Sequence, residues 1–312
     1  MTAALAVAAM LVFMAPRAAG PEHAPRAAVT AHASAQASLP SAANRPANPY
    51  GTALAPARER FHVKLVKKLK SGIVFDVDSG RVLWQRSPQQ VLPIASLTKM
   101  MTALVVADHA RPGAEVMITK QALAFSGSGV GLLPLGKRVP LKTMLYGLML
   151  PSGNDAAIAL AQHVAGSEQR FIAMMDDRAV QMGLRCTHFT SDSGIVDQGN
   201  YSCAGDLAVL AHTVLEQPLL HRIVASPQAI LPFPIKGGKL YLYNNNPLLR
   251  TGFPGTDGVK TGYTTLSGPC LVASAHRGRT WLAVVLLNSA DPLDQARTLL
   301  DAGFATAGSN HA

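Results

Sequence analysis

The segment Pro93-Ile94-Ala95-Ser96-Leu97-Thr98-Lys99-Met100-Met101-Thr102 decides the fold of this 312-residue chain. It opens a stretch that continues to His109, in which apolar residues recur every three or four positions and predict a helix from Ala95. A serine at a helix start has a free backbone N–H, and a lysine three residues later lies on the same face. Ser96 and Lys99 are therefore a candidate nucleophile and base. In isolation, however, this spacing is more typical of a serine cap beside an exposed lysine.

Strand-like runs precede this segment, and helical patterns follow it. Residues 72–78 and 81–86 read as two strands joined by the turn Asp78-Ser79-Gly80, in which the glycine can adopt a positive φ. The remaining predicted helices are Leu141–Leu150, Asp155–Val164, Glu168–Met182, Ala204–Leu215 and Asp294–Phe304. The remaining predicted strands are Gly258–Thr261, Cys270–Ala275 and Trp281–Leu287.

This order of elements predicts an α+β fold. The N-terminal and C-terminal strands must share one mostly antiparallel sheet, and the helices between them form an all-helical insert. The chain ends soon after Phe304, so we expect neither a second C-terminal domain nor a C-terminal amphipathic anchor.

The N-terminal region carries an export pattern. Ala3 to Met14 is an apolar run that is short for a membrane span and suits a signal-peptide core, although no positive charge precedes it. We predict a signal peptide or N-terminal anchor at 1–19, a disordered Ala/Pro-rich tether at 20–60, a catalytic domain at 61–306 and a tail at 307–312. Cleavage of the signal and its retention as an anchor both remain open, and in either case we expect the protein to act outside the cytoplasm.

Composition restricts the class of partner. The chain is 48% hydrophobic and 15% charged, with a mean hydropathy of +0.19 and a formal net charge of +10. Such a basic excess suits polyanionic surroundings, such as anionic lipid or an acidic wall polymer, or it only keeps the protein soluble. Nucleic acid is not expected, because the sequence has no basic helix with groove-reading side chains and no interleaved aromatics.

Several common catalytic motifs are absent from the sequence. It contains no Gly-x-Ser-x-Gly elbow, no His-Glu-x-x-His and no phosphate-binding Gly-x-x-x-x-Gly-Lys-Ser/Thr, since the Gly-x-x-x-x-Gly-Lys at 131–137 is followed by Arg138. Its ten histidines lack metal-ligand spacing. We expect no metal and no organic cofactor.

Two further triplets strengthen the case for Ser96 and Lys99. Ser152-Gly153-Asn154 stands where one helix ends and another begins, and it offers a second hydroxyl and a carboxamide. Lys260-Thr261-Gly262 lies on a predicted strand, where the glycine lets a substrate backbone approach and the strand edge can pair with it. The lysine and threonine side chains there can bind a terminal carboxylate.

With their flanks, the three motifs resemble a known family. Residues 93–102, 150–157 and 257–264 are similar to the three active-site segments of the low-molecular-weight penicillin-binding proteins, which are serine D-alanyl-D-alanine carboxypeptidases of the peptidase S11 type. The resemblance covers residues 61–304. It implies a fold like that of penicillin-binding proteins and serine β-lactamases, and an enzyme that removes the terminal D-Ala from peptidoglycan stem pentapeptides. Such an enzyme binds β-lactam antibiotics covalently.

The resemblance also implies roles for the residues. Ser96 is the acylated nucleophile, Lys99 its base, and Ser152 the proton relay, while Asn154 contacts the substrate amide. The substrate carboxylate is held by Lys260 and Thr261, with Gly262 beside them, and the N–H groups of Ser96 and Tyr263 form the oxyanion hole. Some members have arginines where this chain has Asn245 and Ser289; Arg250 and Arg277 are candidate replacements.

Alternative functions of the same fold differ in what attacks the acyl-enzyme. A class A β-lactamase needs a glutamate between the second and third motifs, and Glu168 and Glu216 lack the expected context. A transpeptidase needs room for a second peptide and usually comes in a larger chain. Endopeptidase activity on cross-links and a non-catalytic wall-binding module remain open.

Three cysteines in an exported chain allow three pairings and leave one thiol free. Cys186 and Cys203 flank a polar loop between two predicted helices, and we predict a disulfide between them. Cys270 lies in an apolar strand and is expected to be a buried free thiol. Three reduced thiols are the alternative for a cytosolic protein.

Overall fold

The structure is a computed structural model that describes residues 60–235 and 237–308. The predicted signal or anchor at 1–19, nearly all of the tether at 20–60 and the end of the tail lie outside these residues. Arg60 already bonds to the domain, its N–H donating to Leu83 O at 2.9 Å. Within the described ranges, no helix has the length and apolarity that a membrane crossing requires.

Eleven strands are described. They are β1 Leu69–Asp76, β2 Val82–Arg86, β3 Leu92–Pro93, β4 Glu115–Met117, β5 Arg138–Pro140, β6 Tyr201–Ser202, β7 Gln228–Pro232, β8 Lys239–Tyr243, β9 Thr256–Thr264, β10 Gly268–Arg277 and β11 Thr280–Ser289.

The described residues also form eight α-helices. They are α1 Lys99–His109, α2 Leu141–Met149, α3 Asn154–Ala165, α4 Glu168–Gln181, α5 Ala204–Glu216, α6 Pro218–Val224, α7 Pro247–Arg250 and α8 Pro292–Gly308. Short 3₁₀ turns at Ala95–Thr98 and Ala122–Ala124 complete the set.

The main sheet joins the two ends of the domain. Its strand order is β2-β1-β11-β10-β9, and every neighbouring pair is antiparallel. The α+β arrangement predicted from the sequence is therefore present. Gly80 and Gly278 supply positive φ, at 65° and 59°, in the turns that join β1 to β2 and β10 to β11.

Successive residues of the central strands enter two separate cores. Ile73 and Val285 pack with the helical insert, whereas Val74 and Val284 pack with α8 on the opposite face. This alternation follows from the two-residue period of a strand. Both faces of the sheet are covered, so the central strands are nearly continuous apolar runs.

The insert departs from the prediction that it is all-helical. It is mostly helical, but it carries the strand pairs β3–β6, β4–β5 and β7–β8. Pro232 and Pro234 obscured β7 in the sequence, because proline argues against a strand unless the strand lies at an edge. The seven residues of α6 were missed because they are too few to show helical periodicity.

Candidate active site

The nucleophile segment forms a tight turn before α1. Ala95, with φ 47°, begins the 3₁₀ turn that holds Ser96, and Lys99 is the first residue of α1. The Thr98 hydroxyl donates to Ala95 O at 2.8 Å and accepts from Asn200 Nδ2 at 2.7 Å. These bonds fix the turn, so that the Ser96 side chain is partly exposed while Lys99 is fully buried.

Lys99 is the centre of the hydrogen-bond network. Its Nζ donates to Ser96 Oγ at 3.0 Å, to Asn154 Oδ1 at 2.7 Å and to Ser193 O at 2.7 Å. Burial, followed by the charge of Lys260, lowers the pKa of Lys99 well below its usual value of 10.5. In its neutral form the amine keeps two N–H donors, for Asn154 and Ser193, and its lone pair can accept the Ser96 proton, so the environment suits a general base.

The second triplet places its two polar side chains at the entrance to α3. Ser152 has φ 70°, and its buried hydroxyl has no hydrogen-bond partner among the described residues. Asn154 is the first residue of α3, and its Nδ2 donates to Ser126 O at 2.6 Å. The Asn154 amide is thus held between Lys99 and the 126–131 loop.

The third triplet lies on edge strand β9. Lys260 is buried, which lowers its pKa to about 7, and its Nζ donates to Thr261 O at 2.9 Å. A Cβ atom on Gly262 would lie 3.0 Å from Ile94 O and 3.1 Å from Ser96 N. Glycine therefore lets β9 pack directly against the backbone of the nucleophile. Tyr263, the next residue, is 68% exposed.

A match to a family model agrees with this geometry. The model described as Peptidase_S11, D-alanyl-D-alanine carboxypeptidase, matches residues 63–291. The chain belongs to this family.

Similarity to individual proteins supports the same family assignment. D-alanyl-D-alanine carboxypeptidase DacB2 of Mycobacterium tuberculosis is 36% identical over 241 residues, covering 75% of this chain and 81% of that protein. DacF of Bacillus subtilis is 32% identical over 249 residues, and DacA of Escherichia coli K12 is 34% identical over 221. The matches to DacF and DacA cover 77% and 67% of this chain but only 63% and 53% of those proteins.

Solved structures show the same fold. A D-alanyl-D-alanine carboxypeptidase from Mycobacterium tuberculosis superposes with a TM-score of 0.73 at 32% identity, covering 80% of this chain and 95% of that one. The Streptomyces K15 DD-transpeptidase superposes with a TM-score of 0.72 at 30% identity, covering 78% of this chain and all of that one. The penicillin-binding-protein fold expected from the motifs is therefore established.

The site of this S11 member includes residues that sequence reasoning did not assign to it. Ser193 O accepts from Lys99, and a Cβ atom on Gly194 would lie only 2.0 Å from Ala95 O. Asp192 is buried, its Oδ2 has no hydrogen-bond partner among the described residues, and burial raises its pKa to about 7. In the sequence, these residues fall in a cluster of polar and glycine residues between two predicted helices. That cluster indicated a restrained loop but did not indicate that the loop contacts Lys99.

The predicted disulfide is present at the ends of this loop. Cys186 and Cys203 are bonded, with their Cα atoms 5.5 Å apart. Cys270 is a buried free cysteine, and burial raises the pKa of its thiol to about 11. The Asp206 carboxylate accepts from Cys186 N at 2.6 Å and from Thr187 Oγ1 at 2.7 Å, which joins the bridge to α5.

The start of β9 is fixed by a second cluster missed in the sequence. Asp257 Oδ2 is paired with His221 Nε2 at 3.1 Å and with His276 Nδ1 at 2.9 Å. Ser274 donates to the other carboxylate oxygen, and both imidazoles stack on Trp281. These contacts hold the strand three residues before Lys260.

Neither candidate arginine replacement is supported: the exposed Arg250, at the end of α7, has no described side-chain contact with the three motifs. Arg277 pairs with Asp301 and lies over the rings of Phe253 and Phe304, so it is engaged away from the site and does not replace the family arginine. Ser289 Oγ donates to Gln295, also away from the three motifs. Asn245 lies beside the second motif, with its Nδ2 donating to Pro151 O at 3.1 Å.

Neither glutamate considered for β-lactamase chemistry reaches the nucleophile. Glu168 begins α4 and accepts from Gln121 at 2.6 Å, and Glu216 pairs with His212 at 3.3 Å. Among the described contacts, neither carboxylate touches Ser96 or Lys99. The geometry gives no support to a class A deacylation mechanism.

Proposed function

We propose that the protein is a serine D-alanyl-D-alanine carboxypeptidase that removes the terminal D-Ala from peptidoglycan stem pentapeptides. The observation that carries this proposal is the buried Lys99 amine, 3.0 Å from the Ser96 hydroxyl and held below its usual pKa. Family membership supports the same reaction. A serine with such a base attacks acyl groups, and the other two motifs are placed to bind a peptide that ends in a carboxylate.

In the acylation step, Ser96 Oγ attacks the carbonyl carbon of the penultimate D-Ala while its proton passes to Lys99 Nζ. The oxyanion of the tetrahedral intermediate accepts from the N–H groups of Ser96 and Tyr263. As the peptide bond breaks, a proton passes from Lys99 through Ser152 to the leaving amine. Free D-Ala departs and the stem remains as an ester on Ser96.

Substrate binding uses the groups around the nucleophile. The peptide adds to the edge of β9 as an extra strand, with Gly262 permitting close approach. The terminal carboxylate accepts hydrogen bonds from Lys260 and Thr261, and binding of this anion favours the charged form of Lys260. Asn154 contacts the amide of the stem.

Deacylation reverses the roles of the same groups. Water attacks the ester carbonyl and gives a proton to Lys99, and the proton returns to Ser96 Oγ as the ester bond breaks. The products are the shortened stem peptide and the restored serine. None of these steps uses a metal or an organic cofactor.

The proposed substrate places the protein outside the cytoplasm, at the cell wall, either secreted or attached to the membrane through its N-terminus. The Cys186–Cys203 bridge supports an oxidising compartment. β-Lactam antibiotics are the expected covalent inhibitors, because the lactam imitates the D-Ala-D-Ala amide.

The test is intact-mass analysis after incubation with benzylpenicillin. Wild type should gain the mass of one penicilloyl group and Ser96→Ala should gain none. In parallel, wild type should release one D-Ala from a soluble pentapeptide. An adduct that persists in Ser96→Ala would refute the assignment of the nucleophile.

Transpeptidation is a second candidate, favoured by the match over the whole length of the Streptomyces K15 DD-transpeptidase. The superposition covers the whole of that DD-transpeptidase, so a chain of this size is long enough for such an activity. Both reactions share the acyl-enzyme and differ in whether water or a peptide amine attacks it. Product analysis on a pentapeptide with an added acceptor amine separates them: we expect mainly the shortened stem peptide, and a predominant amide product would favour transpeptidation.

A further inference from the structure

Strands β7 and β8 form a two-stranded ribbon with contrasting faces. On the inner face, Leu231 and Leu242 are buried in the main core. On the opposite face, which we call the outer face, Ile230 and Tyr241 are each 58% exposed and Tyr243 is 64% exposed. Ile230 is paired directly with Tyr241, and Tyr241 and Tyr243 project from the same side of β8. The outer face therefore carries a cluster of one aliphatic and two aromatic side chains, with Gln228 and Lys239 at its ends.

The base of this ribbon is tied to the catalytic motifs. Asn245, two residues after β8, donates from its backbone N–H to Leu150 O and from Nδ2 to Pro151 O, both at 3.1 Å. The next residue, Asn246, donates to Gly258 O. Asn244 joins the start of the ribbon to its end, with its N–H donating to Pro227 O at 2.8 Å. The ribbon is thus fixed to the residue before Ser152 and to the strand of Lys260.

The chemistry of the outer face suits a sugar chain. A tyrosine presents a flat apolar ring and a polar hydroxyl, and that combination matches a pyranose, whose C–H face is apolar and whose rim carries hydroxyls. Addition of a peptide to the ribbon edge is disfavoured, because Pro232 lacks a donor and Lys239, its cross-strand partner, is charged. A ligand is therefore expected to lie on the face and not along the edge.

The charge of the chain segment that contains the ribbon favours an anionic polymer. The 40 residues from Gln217 to Thr256 contain no aspartate or glutamate. They contain four lysines and arginines, namely Arg222, Lys236, Lys239 and Arg250. A segment with this balance attracts polymers that carry carboxylates.

We propose that the outer face binds the glycan strand of peptidoglycan, and so holds the polymer while one of its stem peptides occupies the site. This inference rests on the proposed carboxypeptidase function. The sugar rings stack on Tyr241 and Tyr243, and Ile230 extends the contact. The carboxylates of neighbouring stems face the basic segment.

Binding is tested apart from catalysis in the Ser96→Ala background, in which the polymer is not consumed. The affinity for purified sacculi, measured by cosedimentation, should fall about tenfold or more when Tyr241→Ala and Tyr243→Ala are added, because aromatic rings that a ligand covers contribute most of the binding energy at such contacts. Glycan strands freed of peptide by an amidase should compete with the sacculi for the parent protein. The matched control is Val180→Ala, which truncates another exposed apolar side chain, on α4, and should bind like the parent.

Turnover gives the second readout. With Ser96 present, the double tyrosine variant should release D-Ala from a soluble pentapeptide within about twofold of wild type, yet require about tenfold more sacculi for half-maximal rate. Tyr241→Phe with Tyr243→Phe should keep most of the binding, since the rings remain. Failure of wild type to process the soluble peptide would refute the proposed function alone, because sacculus binding is measured independently.

Three results would overturn the inference. The first is that the double alanine variant binds sacculi as well as its parent does. The second is that peptide-free glycan does not compete with sacculi. The third is that sedimentation velocity shows wild type to be a dimer and the double alanine variant to be a monomer. The last would make the outer face a contact between two copies of the chain. Thermal unfolding of each variant should match wild type, because the substituted side chains are exposed.

Discussion

At the scale of single residues, the main feature of the site is the amine of Lys99, whose pKa is lowered by burial. The unfolded chain binds the Lys99 proton up to a pKa of 10.5, whereas the folded site releases it at a much lower pH. Between these values the unfolded state binds more protons, so this group makes the free energy of unfolding rise with pH. The stability lost on the acid side of this interval is the cost of burying the amine that we propose as the base.

Lys99→Arg tests this base. The guanidinium keeps a positive charge and cannot give up its proton at any usable pH, so acylation by benzylpenicillin should fall by at least about a hundredfold. In wild type, the acylation rate should rise with pH through the lowered pKa of Lys99. Circular dichroism should show that the variant is folded. A folded variant that is acylated at a near wild-type rate would show that another base operates.

Asp192→Asn tests the buried carboxyl behind Lys99. The folded state keeps the Asp192 proton up to about pH 7, whereas the unfolded chain loses it near 3.8, so this group lowers stability as the pH rises between these values. The full cost above pH 7 is on the order of 4 kcal/mol, which corresponds to the rise in pKa from 3.8 to about 7. Urea denaturation should show the variant more stable than wild type at pH 8, with the difference shrinking toward pH 4.

The same substitution has a kinetic consequence. The Asp192 charge raises the pKa of Lys99, so its removal should move the acidic limb of the acylation profile to lower pH. An unchanged profile, or a variant equally stable relative to wild type at pH 4 and pH 8, would contradict the assignment. Asp78→Asn, a change at an exposed turn residue, is the matched control and should alter neither property.

At the scale of elements, the polar segment between α4 and α5 is held at both ends and in its middle. The disulfide closes a separation of 17 residues, and Gly194 lies against the nucleophile turn. Thr264 Oγ1 also donates to Asp197 Oδ1 at 2.8 Å, which joins the segment to the end of β9. One irregular segment therefore contacts both the Ser96 turn and the strand of Lys260.

Removal of the bridge should loosen this segment. Cys186→Ala with Cys203→Ala should lower the free energy of unfolding by about 3 kcal/mol, the chain-entropy value for a loop of this length. Acylation should slow as well, because Ser193 O would no longer hold Lys99 firmly. Urea denaturation in a Cys270→Ala background, with and without reductant, measures the effect without thiol exchange. Equal midpoints for the oxidised protein, the reduced protein and the double variant would contradict a stabilising role.

At the scale of the whole molecule, the chain carries a formal net charge of +10, which should attract the polyanionic wall of the proposed function. Exposed charges are screened by salt, because the Debye length falls from about 10 Å at 0.1 M to about 3 Å at 1 M. Apolar stacking on the outer face is not weakened in this way. The protein should therefore bind the wall through one salt-sensitive and one salt-insensitive contribution.

Raising NaCl from 0.05 to 0.5 M should weaken sacculus binding by the Ser96→Ala protein several-fold. Hydrolysis of a soluble pentapeptide by wild type should change much less, because Lys260 is buried. The binding that persists at high salt should be lost in the variant that combines Tyr241→Ala and Tyr243→Ala. Binding independent of salt would show that the net charge serves solubility alone.

The sequence by itself determined the local chemistry and the class of fold. Apolar periodicity located α1 to α5, α8 and the five strands of the main sheet, because burial on one face leaves a pattern that neighbouring residues share. The three motifs and their flanks identified the family, and the polar loop between two helices pointed to the Cys186–Cys203 pair. In each case the information lies within a short stretch of chain.

Tertiary structure alone decided how distant residues act on one another. The depressed pKa of Lys99 requires Lys260 and complete burial, and the Ser193 carbonyl reaches Lys99 only because Gly194 lets two loops touch. Sequence spacing does not encode contacts between residues about a hundred positions apart. The ribbon of β7 and β8 was not predicted, because its prolines interrupt the alternating pattern of a strand. Only the packing of the folded chain shows which face of the ribbon is buried and which is exposed.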